Sequence, residues 1–121
     1  MEDELYREVL LEHYKHPHNA GRLDDASHSR KELNPSCGDM IELFVKVGED
    51  GRVTDVKFDG RGCAISQASA SMLTDKIKGM TLDGIKAMKQ DDVFEMLSVP
   101  IGAGRIRCAL LSLKALHKSL E

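Results

Sequence analysis

No stretch of this 121-residue chain holds the roughly 20 consecutive apolar residues that a membrane-spanning helix needs. The opening Met1-Glu2-Asp3-Glu4 is acidic where a secretory signal would be basic and then apolar. Both absences lead to the expectation of a cytoplasmic protein. Aromatic residues are few, three Phe and two Tyr, and basic residues do not predominate: 17 Lys and Arg stand against 20 Asp and Glu, for a formal net charge of −3. A nucleic-acid surface of the usual kind needs positive charge and stacking platforms, so proteins or metal ions are the expected partners. Cysteine is scarce and its count odd. Three thiols cannot all pair within one chain, and in a reducing compartment thiols serve as ligands or nucleophiles more often than as staples. There is no internal repeat, low-complexity tract or linker, so residues 1–121 read as one domain, long enough to bury a core without disulfides.

What is present is a series of short, clear periodicities. From Asp3 to His16, the residues Leu5, Tyr6, Val9, Leu10 and His13 recur at helical spacing and Pro17 ends the pattern, which predicts an amphipathic N-terminal helix. His16 to Asp25, with Pro17, Asn19 and Gly21, reads as a loop, and the polar stretch to Lys31 has room for a short edge strand. Met40 to Val47 alternates, with Ile41, Leu43, Val45 and Val47 on one face and Glu42 and Lys46 on the other. After the turn Glu49-Asp50-Gly51, Val53 to Phe58 alternates again, with Thr54, Val56 and Phe58 together, and the two runs predict an antiparallel hairpin. Gly60-Arg61-Gly62 breaks the second strand. Beyond Cys63, the residues Ile65, Ser69, Met72, Leu73, Lys76 and Ile77 trace a helix face up to Gly79, and Thr81 is an N-cap for a short helix reaching Lys89. Asp91 to Leu97 adds a further turn or two, and Ser98 to Gly104 is a flexible connection. A last helix from about Arg105 carries Ala109, Leu110, Leu113, Leu116 and Leu120 on one stripe. This order predicts an α+β fold, a small antiparallel three-stranded sheet with helices packed on one face.

The chemistry concentrates in Asn34-Pro35-Ser36-Cys37-Gly38-Asp39. Residues two apart in an extended segment point the same way, so the Cys37 thiolate and the Asp39 carboxylate can face one metal ion. Equally, Asp39 can hydrogen-bond the loop backbone while Cys37 serves as a small hydrophobe. Cys63 falls between a Gly-Arg-Gly turn and a helix N-terminus, where free N–H groups and the helix dipole favour thiolate; the plainer reading is a buried cysteine at a small-residue helix interface. Cys108 repeats that arrangement beside Arg105 and Arg107. Their guanidinium charge would lower a thiol pKa and shield an anionic site, or would simply face solvent. The three cysteines lack the close pairs of a zinc finger. If the fold gathers them, Cys37, Asp39, Cys63 and Cys108 make a four-ligand S₃O site. His16, His18, His28 and His117 read as solvent groups and His13 as lining the first helix, and none of the five is taken as a ligand.

Taken in order, four segments resemble the U-type iron–sulfur cluster assembly scaffolds: IscU, SufU and the N-terminal domain of NifU. They are Leu11-Glu12-His13-Tyr14-Lys15-His16-Pro17, Asn34 to Asp39, Gly60-Arg61-Gly62-Cys63-Ala64-Ile65-Ser66 with its Ser/Ala tail, and Arg105-Ile106-Arg107-Cys108. The resemblance implies an α+β scaffold that receives sulfur as persulfide from a cysteine desulfurase, assembles a [2Fe–2S] cluster and hands it to apo-proteins. Cys37, Cys63 and Cys108 match the family's three cysteines, as metal ligands and persulfide-accepting candidates, and Asp39 matches its aspartate. Gly38, Gly62, Arg105 and Arg107 surround them. IscU-type members carry His directly before the third cysteine, where this chain has Arg107, which stays protonated and so is no ligand. They also carry a Leu-Pro-Pro-Val-Lys chaperone motif where this chain reads Ile101-Gly102-Ala103-Gly104-Arg105. The basic residue and the Cys-Ala-Ile-Ser-Gln-Ala-Ser-Ala-Ser run are closer to SufU, yet the insertion that SufU-type chains have before the third cysteine is missing.

The chain is thus intermediate, and two functions are implied. The first is a scaffold for transient [2Fe–2S] assembly with no catalytic residue. The alternative is a zinc-dependent sulfurtransferase that accepts persulfide sulfur and stimulates its desulfurase. Three thiolates and a carboxylate suit tetrahedral Zn²⁺ and hold a cluster equally well. A purely structural zinc domain is the least favoured class, because a core of this size needs no metal. The oligomeric state, a homodimer or higher oligomer included, is left open by the sequence.

Overall fold

The computed structural model describes residues 2–121. Three strands, β1 (His28–Asn34), β2 (Asp39–Val47) and β3 (Val53–Arg61), form an antiparallel sheet in the order β1-β2-β3. Helix α1 (Glu2–Lys15) precedes the sheet, and α2 (Ala64–Ile77), α3 (Leu82–Lys86), α4 (Gln90–Leu97) and α5 (Ile106–Ser119) follow it. A single 3-10 turn, Ala103–Arg105, leads into α5. Helices α2 and α5 lie on the sheet, α1 packs on α2, and α4 closes over α2 and α5. This is the expected α+β arrangement with helices on one face.

Register explains the packing. Leu43 pairs with Phe58 and Val45 with Val56, so these four and Ile41 project together from the helix-covered face, and all five are buried. They meet Leu73 and Ile77 of α2 and Leu113 and Leu116 of α5 in one core. Each such side chain contributes about 1.5–3 kcal/mol by leaving water, so the sheet–helix seam carries the stability. The central strand is covered on its outer face too. Arg22 lies over Phe44, 4.7 Å from the ring centroid, and its Nη1 donates to Glu42 Oε1 at 3.0 Å. The segment after α1 also follows β3, with Gly21 N–H donating to Phe58 O and Phe58 N–H to Asn19 O, both at 2.9 Å.

Several expectations are corrected in detail. The edge strand exists but runs on to Asn34. β3 passes through Gly60 instead of ending there: a Cβ at that position would stand 2.7 Å from Gln67 Oε1 and 2.8 Å from Ile41 Cδ1, so glycine is required where α2 crosses the strand. The pairing shifts between Lys46 and Val47. Past that irregularity Val53 turns into the core, while Thr54 is exposed and donates its hydroxyl to Lys46 O at 3.2 Å, apart from Val56 and Phe58. In α1 only Leu10 and His13 of the expected stripe are buried; Leu5 and Val9 are exposed, and the Tyr6 side chain lies outside the described residues. Among the described residues the helix packs chiefly on α2, which covers a narrow strip.

α2 is the opposite case, enclosed on most sides. Ser66, Ser69, Ser71 and Thr74 are buried in it, and Lys76 is exposed. Their hydroxyls are satisfied internally, Ser69 Oγ donating to Ala109 O and Thr74 Oγ1 to Ser71 O, both at 2.7 Å. In α5, Ala109, Leu113 and Leu116 are buried together with Leu111 and Ala115, whereas Leu110 and Leu120 are only partly covered. Thr81 caps α3 as expected, its Oγ1 accepting from Gly84 N–H at 3.1 Å. Among the described residues, no helix is long and apolar enough to cross a membrane.

Leu73 is fully buried beneath the sheet. Leu73→Ala is therefore expected to cost about 2–5 kcal/mol in urea unfolding of the metal-free chain. The exposed Leu5→Ala should stay within about 0.5 kcal/mol. A metal-stripped chain without a cooperative unfolding transition would contradict a core that holds itself together.

Candidate metal centre

The β1–β2 connection is a tight turn in which Cys37 N–H and Gly38 N–H both donate to Asn34 O, at 3.2 and 2.9 Å. Gly38 takes φ +71°, the left-handed region that glycine enters without strain. The chain then turns straight into β2, whose first residue is Asp39, exposed to only 1 %. Asp39 Oδ1 accepts from Cys63 N–H at 2.8 Å. Cys63 is the N-cap residue of α2 and has no side-chain cap of its own, so the Asp39 carboxylate satisfies the helix end from another element. Gly62 leaves room for this contact. Its φ is +131°, and a Cβ there would stand 2.8 Å from Asp39 Cα.

The other carboxylate oxygen faces the thiols. Asp39 Oδ2 lies 3.8 Å from Cys63 Sγ and 3.4 Å from Asn34 Nδ2. Asn34 Nδ2 also points to Cys108 Sγ at 3.6 Å, the sulfur carried by the first turn of α5. The sulfurs of Cys37 and Cys108 and an Asp39 oxygen lie within 4.8 Å of one another. Cys63 stands outside that trio and is tied to it through Asp39. All three cysteines are free thiols, and their exposure is graded: Cys37 exposed, Cys63 half-buried, Cys108 buried.

The electrostatics correct one expectation. Burial pushes the Cys108 thiol far above its ordinary range, helped by the neighbouring Asp39, Cys37 and Cys63, so here desolvation outweighs any lowering by the neighbouring arginines. The charge of Cys63 first, then interactions with Cys108 and Cys63, hold the Arg105 guanidinium more firmly protonated. Arg107, on the exposed side of α5, lines a groove of about 630 Å³ with Leu33, Pro35, Leu110 and Lys114.

The donor set fits a metal. Bonds of about 2.3 Å to a tetrahedral ion place thiolate donors about 3.8 Å apart, so donors already within 4.8 Å need to close by only about 1 Å. Binding would have to release the Cys108 proton.

Histidine was underestimated by the sequence reading. His13 Nδ1 lies 2.7 Å from Ser71 Oγ, His18 Nδ1 lies 2.6 Å from Asp75 Oδ2, and His117 Nε2 is 3.0 Å from Ile85 O, so neither His18 nor His117 is a free solvent group. Burial and then the neighbouring His18 lower the His13 pKa, while the hydrogen bond to Asp75 raises that of His18. The one signal in the sequence was the Pro17 reversal, which folds His18 back toward the end of α1.

A thiol and carboxylate donor set delivered by a turn, a helix cap and the first turn of another helix, on a three-stranded α+β fold, is the layout of a small metal-handling protein. The chain belongs to the NifU-like N terminal domain family, which matches residues 5–121. It is 40 % identical over 135 residues to the zinc-dependent sulfurtransferase SufU of Bacillus subtilis, covering 98 % of this chain and 90 % of that one. To the iron–sulfur cluster assembly scaffold protein IscU of Escherichia coli K12 it is 33 % identical over 118 residues, covering 95 % and 91 %. Its fold superposes with a TM-score of 0.78 on a nitrogen-fixing NifU-like protein (N-terminal) from Brucella abortus, at 24 % identity over 98 % of this chain and 93 % of the other.

Two outcomes are expected from this geometry. Gly62→Ala should push Asp39 out of place and weaken zinc binding by about 10–100-fold in competition with a chromogenic chelator; unchanged affinity would show that Asp39 does not depend on Gly62. The second concerns pH. The ordinary Cys108 value is 9.0 and burial raises it, so the folded chain keeps this proton where the unfolded chain gives it up. Metal-free stability should be insensitive to this group below about pH 9 and fall as the pH rises above it. Cys108→Ala should flatten that alkaline decline in urea melts taken across the range, and an equal decline in both chains would exclude Cys108 as its source.

Proposed function

We propose that this chain is a scaffold that receives sulfur from a cysteine desulfurase, assembles a transient [2Fe–2S] cluster on Cys37, Cys63, Cys108 and Asp39, and passes it to apo-proteins. The observation that carries this reading is the convergence of three free thiols and one buried carboxylate with graded exposure. Iron and sulfide are cargo here, and the chain acts as carrier and not as catalyst. Its partners on this reading are the desulfurase and the acceptor proteins, in a cytoplasm that keeps the thiols reduced; neither nucleic acid nor membrane is involved.

Cys37 is the thiol best suited to meet the desulfurase, being exposed on a turn beside a glycine whose surroundings are open. Its thiolate attacks the outer sulfur of the desulfurase persulfide. A new S–S bond forms on Cys37, and the desulfurase cysteine leaves as thiolate. Arg105 offsets the negative charge that accumulates around Cys63 and Cys108. Asp39 is the exchangeable member of the set, because a carboxylate is a harder and weaker donor to iron than a thiolate.

The second reading, a zinc-dependent sulfurtransferase, is favoured by the 40 % identical relative of that name. Cys37, Asp39, Cys63 and Cys108 would then hold a resident zinc ion, which would supply positive charge that keeps the thiols ionised. Cys37, at the exposed end, is the ligand that would leave the metal to accept sulfur.

The discriminating experiment is anaerobic reconstitution of metal-stripped protein with ferrous iron, cysteine and a cysteine desulfurase, followed by transfer to an apo-ferredoxin. A chromophore that depends on all three cysteines and moves to the acceptor is expected. A colourless protein that accelerates the desulfurase only after zinc is restored would overturn the scaffold in favour of the sulfurtransferase. Asp39→Ala should yield a longer-lived bound cluster with slower release, and faster bleaching would remove Asp39 from its proposed role.

A further inference from the structure

We propose that Glu12, His13 and His18 form a second metal site, which takes a divalent first-row cation such as Zn²⁺ or Fe²⁺ through two imidazoles and one carboxylate. One donor atom from each of the three lies within 4.8 Å of the other two. The imidazole centroids are 4.2 Å apart and the rings are tilted by 44° rather than stacked flat.

Both rings are braced as metal-ligating imidazoles are. A histidine ligand engages its second ring nitrogen with a fixed partner, which sets the tautomer and aims the first. Here His13 Nδ1 meets Ser71 Oγ at 2.7 Å and His18 Nδ1 meets Asp75 Oδ2 at 2.6 Å, which leaves Nε2 of each ring as the metal donor. Ser71 Oγ also accepts from the His18 backbone N–H at 2.8 Å, fixing the loop that brings the second ring back to the helix. His18 Nε2 and Glu12 Oε1 are 3.5 Å apart, long for a hydrogen bond. Two metal bonds of about 2.0–2.1 Å meeting at a tetrahedral angle span about 3.4 Å, so these two donors already stand at the separation that a shared cation needs, and the His13 donor lies within 4.8 Å of both.

A simple pin holding the loop to α2 would need only Ser71 and Asp75. It would need neither the Glu12 carboxylate nor a second imidazole. A cleft of about 350 Å³, lined by His13, Met72, Asp75, Lys76 and Met96, opens beside the His13 ring. The site is separate from the cysteine centre. Ser71 lies eight residues after Cys63 along α2, about 12 Å at 1.5 Å per residue, several times the length of any metal–ligand bond.

Zinc calorimetry on the full-length chain tests this, with Co²⁺ absorption in parallel. The wild type should take two equivalents of zinc and the Cys37→Ser/Cys63→Ser/Cys108→Ser variant one. Adding His18→Ala or Glu12→Gln, both at surface side chains (40 % and 51 % exposed), should weaken that remaining site about 10-fold or more. His18→Ala in the wild-type background should leave the thiolate-to-cobalt charge-transfer band unchanged. A folded triple-serine chain that binds no zinc, or binds it equally well after both further substitutions, overturns the proposal. A measurement on the wild type avoids any dependence on that variant: zinc beyond the first equivalent must shift the ring signals of His13 and His18 in NMR spectra, and unshifted signals also overturn it.

Discussion

The hydrogen bond from Cys63 N–H to Asp39 Oδ1, at 2.8 Å, holds the candidate centre together. It joins the first residue of β2 to the cap of α2, two points that the chain separates by a whole hairpin. A carboxylate exposed to only 1 % would be strongly destabilising without partners. The helix end supplies them, through a free N–H and the positive end of its dipole. The same carboxylate therefore has two duties, one oxygen fastening the strand to the helix and the other facing the thiols. Gly62 is what permits the approach, since any side chain there would occupy the place of Asp39. A donor set assembled in this way is built into the fold itself.

Much of this was legible in the sequence, but unevenly. Alternation revealed β2 and β3 because each has one face against helices, and Thr81 announced α3 because a cap acts within one turn. Gly60 reads as a strand end, yet β3 continues through it to Arg61. A local pattern does not distinguish a glycine that stops a strand from one demanded by a helix crossing it, and that helix arrives from Gln67. Leu5 and Val9 kept the period of a buried stripe while the structure leaves them exposed, because period records what a helix could bury and not what is available to cover it. Thr54 lost its expected neighbours to a shift in pairing at Lys46/Val47, which no residue type there signals.

The sequence singles out Cys37, Asp39, Cys63 and Cys108 as candidates and the structure brings them near one another, whereas their energetics are not legible in the sequence. Proximity of Arg105 argues for a lowered Cys108 pKa, and only the burial of that thiol shows which effect wins. The histidines failed for a related reason. The partners that brace His13 and His18 are Ser71 and Asp75, 58 and 57 residues further along the chain, so the local sequence identifies neither partner.

The gradient of exposure from Cys37 through Cys63 to Cys108 has an electrostatic logic. Three thiolates and a carboxylate crowded into a few ångströms would repel one another strongly wherever water is excluded, and an empty site of that charge would strain the fold that builds it. Keeping Cys108 protonated by burial removes one charge at the position where solvent screens least. Arg105 balances charge at Cys63, midway along the gradient. At the exposed end Cys37 meets water, where another molecule can reach its sulfur. A cation bound there would have to displace the Cys108 proton, so occupancy would be linked to pH through the most deeply buried thiol.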